Sequence, residues 1–169
     1  MRPFLEKECE RLHIAPSVHF LGNISAVQPF YDAIDILLVP SIREPLGLVA
    51  QEAACRGCPV IATAVDGLCE VVQNEKTGFT IQADLSMKQY SEYSKHEEGL
   101  PDCVYDPLTD TLSEPKAIAP EMIAQKVALL LEPSVYELFS KQAIVFAAQR
   151  PNFDLYQKNL TALLQEFLV

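Results

Sequence analysis

Apolar residues recur along the chain with two alternating spacings, one typical of helices and the other of strands. In residues 2–13 the apolar side chains share one helical face, and Glu and Lys occupy the other. The β-rich run at residues 18–22 predicts a short strand, followed by a loop at Asn23 and Ile24. Helix followed by strand is the first step of an α/β alternation.

The alternation continues through the middle of the chain. Ser25 is expected to cap a helix that leads into residues 36–40, an almost continuous apolar run typical of a strand inside a parallel sheet. A further helix begins near Gly47 and is stopped by Gly57 and Pro59. The next predicted elements are strands at 59–63 and 78–81, with a helix at 68–73 between them. This order predicts an α/β fold with a doubly wound, Rossmann-like parallel sheet and flanking helices.

Residues 84–119 interrupt the pattern, because they are rich in serine and charge and have little apolar period. We expect a surface insertion there. Helical spacing resumes at Pro120, and helices are predicted at 134–149 and 154–167, the last with a leucine-rich face that could dock on the body. The chain is therefore expected to be one domain, 1–169, with its core in 1–83 and 120–169 and the insertion at 84–119.

Composition argues against a membrane-spanning protein and against a nucleic-acid partner. Hydrophobic residues make up 49% of the 169 residues, yet no apolar run reaches the roughly 18 to 20 residues that a membrane-spanning helix needs. Thirteen Lys and Arg against 23 Asp and Glu give a net charge of -10, which would repel a nucleic-acid backbone. A small anion is still compatible, since a helix N-terminus can hold phosphate against the overall charge.

The cysteines and histidines give no metal or redox site. The chain has five cysteines, an odd number, and its charged start lacks the apolar core of a secretion signal, which indicates the cytoplasm. Cys55 and Cys58 have redox or half-zinc spacing, but there is no second such pair, and the small residues around them favour packing. No two histidines have metal-ligand spacing, and no nucleophile-elbow, P-loop or zinc-protease motif is present.

The helix that begins near Gly47 is the candidate binding element. In open parallel sheets, ligands bind at the carboxyl ends of strands, where the next helix presents free amides. Gly47 allows close approach of the backbone, and the N–H groups of Leu48 and Val49 are candidate donors to a phosphate. Glu44 precedes the helix, and Glu52 lies about 7.5 Å along its axis from residue 47.

Two interpretations of Glu44 and Glu52 follow from this spacing. One carboxylate could hold sugar hydroxyls and the other a ribose diol, with a diphosphate between them. Alternatively, Glu44 is a surface loop acid and Glu52 an acid on an exposed helix. Spacing alone favours the second interpretation.

Five ordered segments carry a family resemblance that favours the first interpretation. They are residues 18–23, 36–41, 44–53, 57–63 and 70–79. Together they resemble the carboxyl-terminal domain of retaining GT-B glycosyltransferases, the group that includes glycogen and sucrose synthases and lipopolysaccharide mannosyltransferases. The resemblance is dense over residues 3–83 and weaker over 120–167.

The resemblance implies a role for each candidate residue. Glu44 and Glu52 fall on the two acids of the family's Glu-x7-Glu motif, so Glu44 would be the catalytic residue, in contact with the donor sugar, and Glu52 would contact the ribose. The backbone of residues 47–49 would contact sugar and phosphate, and the loop at Asn23 and Ile24 the nucleobase. The donor would be a UDP- or GDP-sugar that acts as substrate, without a metal or other cofactor.

Departures from the family pattern limit what this chain is expected to do. Leu46 replaces the commoner Phe, and Asp66-Gly67 stands where the family usually has Gly-Gly, so the loop near the sugar gains a charge. The first strands of the family domain, its Arg and Lys, and the acceptor domain would all precede Met1. The resemblance thus implies one half of a GT-B fold, lacking the first strands and partnered by an N-terminal acceptor domain or companion chain.

Transfer by the 169 residues alone is expected to be weak or absent. A preorganised cation or donor at a leaving group is commonly worth about 3 to 4 kcal/mol. The alternative hypothesis is a non-catalytic nucleotide-binding remnant or interaction module.

Overall fold

A computed structural model of the chain describes residues 2–93, 99–150 and 153–167. Within them the helices are α1 (Arg2–Arg11), a 3-10 turn (Ala15–Ser17), α2 (Val27–Ala33), α3 (Leu48–Cys55), α4 (Leu68–Val71), α5 (Met87–Tyr90), α6 (Pro120–Leu130), α7 (Pro133–Gln149) and α8 (Phe153–Phe167). The strands are β1 (Leu37–Val39), β2 (Val60–Thr63), β3 (Gly78–Ile81), β4 (Leu85–Ser86), β5 (Val104–Asp106), β6 (Thr111–Ser113) and β7 (Lys116–Ala117).

A parallel sheet of order β1-β2-β3 forms the centre of the fold. Leu38 pairs with Ile61, which in turn pairs with Phe79. All four residues of β2 are buried, as expected for an apolar run covered on both faces of a parallel sheet. The predicted α/β fold with a parallel sheet and flanking helices is therefore confirmed.

Two apolar clusters lie on the strands and the helices around them. One contains Tyr31, Ala50, Val60 and Leu68 from α2, α3, β2 and α4. The other joins β2 and β3 to α6 and α7, where the rings of Phe79 and Phe139 lie 5.2 Å apart. The first cluster anchors the helix that begins after Gly47, so the start of α3 is held by the core.

Three predicted features differ from the structure. Residues 18–22 form no strand: Val18 is extended (φ -116°, ψ 123°), but no described strand pairs with this segment. A period-two pattern specifies a half-buried extended segment, whereas a strand also needs a neighbour for its hydrogen bonds. Ser25 does not cap α2, which begins after Ala26 without a side-chain cap bond.

The third difference concerns α8, whose predicted apolar face is largely exposed. Leu160, Leu163 and Leu164 are 41%, 54% and 53% exposed, and Phe167 is 81% exposed. Helical periodicity predicts that an apolar face exists but does not specify the surface that covers it.

Residues 84–119, predicted as a surface insertion, contain two small antiparallel pairs in their described part. β4 pairs with β7, and β5 with β6. The segment also buries Val104, Ala117 and Ile118. Strands of two or three residues are too short to show a period in the sequence, which is why they were not predicted. The β5–β6 hairpin matters for the candidate site, because it lies against the loop that follows β2.

No helix in the described part of the chain is long and apolar enough to cross a membrane.

Candidate functional site

The start of α3 opens to solvent at the carboxyl end of β1. Gly47 precedes the helix in the left-handed conformation (φ +84°, ψ 55°). Its carbonyl accepts the N–H groups of Ala50 at 2.9 Å and Gln51 at 3.3 Å. Helix geometry therefore leaves the amides of Leu48 and Val49 without an intrahelical acceptor. Leu48 and Val49 are 62% and 43% exposed, so the two residues that carry these amides lie at the surface.

Glu44 is half-buried and folded onto the turn that begins α3. Its Oε1 accepts the N–H of Gly47 at 3.2 Å. Its own backbone N–H donates to Oδ2 of Asp66 at 2.9 Å, and its carbonyl accepts the N–H of Gly67 at 3.3 Å. Glu44 is thus held by both the α3 turn and the loop between β2 and α4.

Asp66 connects that loop to the β5–β6 hairpin. Its Oδ1 accepts the N–H of Tyr105 at 3.0 Å, and its N–H donates to the Tyr105 carbonyl at 2.9 Å. Asp66 occupies the position at which the sequence analysis expects the first of two glycines. The added side chain is therefore used for bonding between segments.

Glu52 is exposed on the second turn of α3, where it meets α2. Oε2 of Glu52 accepts the hydroxyl of Tyr31 at 2.9 Å. Burial, followed by the hydrogen bond to Glu52 and the charge of that carboxylate, raises the pKa of Tyr31 to about 12. Tyr31 therefore stays a hydrogen-bond donor and orients Glu52. In the sequence, Tyr31 lies within the helix predicted after Ser25, and nothing in the local pattern links it to Glu52.

Two cavities open near the carboxyl end of β1. One has a volume of about 490 Å³ and is bordered by Ser41, Arg43 and Ile118, among others. The other, of about 320 Å³, is lined by Arg43, Pro45, Asp66, Gly67, Glu70 and Tyr105. Neither cavity is lined by Glu44 or Glu52. The structure groups Glu44 with Gly47 and Asp66, and groups Glu52 with Tyr31.

The predicted nucleobase loop lies in a segment without regular structure. Asn23 is exposed and Ile24 is half-buried, and neither lines the two cavities at the end of β1.

Arg43 is a residue that the sequence reasoning missed. It borders both cavities and has no ion-pair partner within residues 2–93, 99–150 and 153–167. A guanidinium at this edge can pair with phosphate oxygens through two parallel hydrogen bonds. The signal available in the sequence was its place directly before Glu44, in the loop that follows β1.

The two cysteines near α3, Cys55 and Cys58, differ in burial. Cys58 is buried, and burial raises the pKa of its thiol to about 11. Cys55 is exposed, so the predicted packing holds for Cys58 and is wrong for Cys55. No group of three or more His, Cys, Asp or Glu that could hold a metal ion occurs among the residues that the structure describes.

A family model described as "Glycosyl transferases group 1" matches residues 1–98, more than half of the chain. An uncharacterized glycosyltransferase of Methanocaldococcus jannaschii is 37% identical over 83 residues, which cover 48% of this chain and 21% of the relative. The lipopolysaccharide glucosyltransferase WaaG of Escherichia coli is 33% identical over 87 residues, 52% of this chain and 23% of that protein. The matches thus span about a fifth of the length of these relatives.

The fold is also similar to solved structures. A structure of HepE from Anabaena in complex with UDP and glucose superposes with a TM-score of 0.70 at 19% identity. The superposition covers 97% of this chain and 36% of that one. At this level of identity the similarity shows the fold, in which this chain corresponds to one part of a GT-B protein.

Proposed function

Because the chain belongs to the glycosyl transferases group 1 family, we propose that it is the donor-binding domain of a retaining glycosyltransferase and binds a nucleoside-diphosphate sugar. The observation that carries the proposal is the open start of α3, where the amides of Leu48 and Val49 lie between two acidic residues, Glu44 and Glu52, in sequence. Amides and the positive end of a helix dipole favour a diphosphate.

Each part of the donor has a proposed partner. The diphosphate binds the Leu48 and Val49 amides and is neutralised in part by Arg43. Glu44 accepts hydroxyls of the sugar, and Glu52, oriented by Tyr31, accepts the two ribose hydroxyls. A carboxylate suits a vicinal diol, because its two oxygens can accept two donors at once. The loop at Asn23 and Ile24 lies against the base.

In the proposed reaction the bond between the anomeric carbon and the diphosphate oxygen breaks, and the diphosphate leaves with the electron pair. The oxygen of the acceptor hydroxyl forms the new bond to the anomeric carbon with retention of configuration, and its proton passes to the departing diphosphate oxygen. Negative charge grows on the leaving oxygen, where preorganised donors such as the α3 amides are most effective. Glu44 is the proposed catalytic residue at the sugar, and the donor is a substrate that needs no metal or other cofactor.

We propose that the acceptor is held outside these 169 residues, by an N-terminal domain or a companion chain. The chain superposes on only 36% of the HepE structure. β1 pairs with β2 alone among the described strands, and Leu38 on it is 46% exposed, so the sheet offers a free edge for a further strand. The 169 residues alone should bind donor with little or no transfer. The free cysteines fit a cytoplasmic enzyme of glycan biosynthesis.

Isothermal calorimetry tests the donor site. We expect the chain to bind UDP, GDP or one of their sugars, and Glu52→Ala to weaken binding. Hydrogen bonds to a charged group are worth about 1.5 to 3 kcal/mol, which corresponds to a loss of about 10- to 150-fold. Glu121→Ala is the matched control, because Glu121 is an exposed acid in the first turn of another helix, α6. An absence of binding to every nucleotide, or equal affinity of the Glu52 variant, would contradict the proposal.

A further inference from the structure

Asp66 joins three segments that are distant in the sequence. One carboxylate oxygen accepts the N–H of Glu44, and the other accepts the N–H of Tyr105. These partners lie 22 and 39 residues away along the chain. A third bond, from the Asp66 N–H to the Tyr105 carbonyl, closes the contact with the β5–β6 hairpin. Each carboxylate oxygen of Asp66 therefore links the loop after β2 to a different segment of the chain.

The backbone of Asp66 is strained. Its φ is +45°, a left-handed conformation that glycine adopts freely and that costs other residues roughly 1 to 2 kcal/mol. Asp is among the residues that tolerate this region best, because its short side chain can bond locally. Here the side chain bonds to Glu44 and Tyr105, and those bonds offset the strain.

The position of Glu44 depends on these bonds. Its backbone N–H is held by the Asp66 carboxylate, and its carbonyl by the N–H of Gly67. The Glu44 carboxylate is then directed onto the N–H of Gly47. A shift of the loop at Asp66 would therefore move the acid that is proposed to contact the donor sugar.

The same loop and hairpin form the wall of the cavity of about 320 Å³. Tyr105 enters this wall from the hairpin, and Arg43, Asp66 and Glu70 are also part of it. The Tyr105 hydroxyl donates to Asp110 at 2.9 Å, a bond that stays within the hairpin. Removal of the Asp66 carboxylate would thus release both Glu44 and one wall of this cavity.

We propose that Asp66 is a positioning residue for the sugar end of the donor: it fixes Glu44 and ties the β5–β6 hairpin to the site. This inference rests on the proposed function. Asp66 acts on the sugar through Glu44, whereas the nucleoside diphosphate is held by the amides of α3 and in part by Arg43, and the Asp66 carboxylate bonds instead to Glu44 and Tyr105. Loss of the carboxylate should therefore weaken binding of a nucleotide sugar and leave binding of the free nucleoside diphosphate unchanged.

Calorimetry on the whole chain compares UDP with UDP-glucose, and GDP with GDP-mannose. Asp66→Gly removes the carboxylate and the strain together, and we expect about a tenfold loss of affinity for the nucleotide sugar, with the diphosphate within twofold. Asp66→Asn retains one acceptor oxygen, so its loss should be smaller. Asp110→Gly is the matched control, since Asp110 also has a left-handed backbone (φ +55°) and bonds to Tyr105 but not to Glu44. Its affinities should match those of the natural chain.

Amide hydrogen exchange without ligand gives a second measurement. The Glu44 N–H should exchange faster in Asp66→Gly and Asp66→Asn, and not in Asp110→Gly. If the natural chain binds no nucleotide, the proposed function fails, while exchange at Glu44 still decides whether Asp66 holds that residue. Unchanged exchange at Glu44 in both Asp66 variants, or parallel losses for diphosphate and nucleotide sugar, would overturn the proposed role of Asp66.

Discussion

Substitution of Gly47 by alanine tests whether the α3 turn is built as described. Gly47 has φ +84°, and a Cβ atom placed on it would lie 2.5 Å from Cδ2 of Leu68. Leu68 is completely buried, so it cannot swing into solvent to make room. Alanine therefore meets both a backbone penalty and a steric one.

The expected destabilisation is the sum of these two penalties. A left-handed conformation costs a non-glycine residue about 1 to 2 kcal/mol. Forcing an additional carbon into a packed core costs about 1 to 3 kcal/mol. Gly47→Ala should thus lower the free energy of unfolding by about 2 to 5 kcal/mol, a fall in Tm of roughly 4 to 20 °C for a chain of this length.

Urea unfolding followed by circular dichroism measures this effect, with Gly22→Ala as the matched control. Gly22 is also left-handed, at φ +71°, but no atom lies within 4 Å of its added Cβ. Gly22→Ala should therefore lower the free energy of unfolding only by the cost of the left-handed backbone, about 1 to 2 kcal/mol. In a Leu68→Ala background the steric part of the Gly47→Ala effect should disappear. Equal losses for the two glycine variants, or an undiminished loss in that background, would refute the packing described for the α3 turn.

Two further predictions concern titrating side chains. The folded-state pKa of Tyr31 is raised from 10 to about 12, so folding favours its protonated form; the associated stability is present below pH 10 and is lost as pH rises from 10 to 12. Tyr31→Phe removes a hydrogen bond to a carboxylate and should cost about 1.5 to 3 kcal/mol at pH 7. The deficit should shrink across that window in urea titrations, and a constant deficit would contradict the Tyr31 shift. Iodoacetamide at pH 8 should label the exposed Cys55 and Cys103 in the native chain, and the buried Cys58 only in denaturant; labelling of Cys58 at the same rate would show that its burial is wrong.

The central strands could be predicted from local sequence because several signals agreed. β2 is a continuous apolar run that follows Pro59, and β3 begins at Gly78 after a polar loop, so composition and boundaries indicated the same elements. Residues 18–22 have equally strand-like composition but no described partner strand. Strand formation at that segment is decided by its neighbours, which the local pattern does not contain.

The residues of the candidate site could be predicted where they are close in sequence, and not where they are far apart. Glu44, Gly47 and Glu52 are close in sequence, so helix geometry and family resemblance could single them out. Tyr31, which orients Glu52, lies 21 residues from it, and Tyr105 lies 39 residues from Asp66. No sequence spacing predicts a contact between residues so far apart, and β5, which contains Tyr105, is too short to show a period.

Nuclear magnetic resonance of the ¹⁵N-labelled chain during titration with UDP and with GDP tests the central claim most directly. The amides of Leu48 and Val49 should shift and saturate, because a diphosphate at the start of α3 would accept their hydrogen bonds. The amides of Glu121 and Met122, at the start of α6, serve as the internal control and should not move. Saturation with shifts confined to other parts of the chain, or an absence of shifts with both nucleotides, would contradict a diphosphate site at α3.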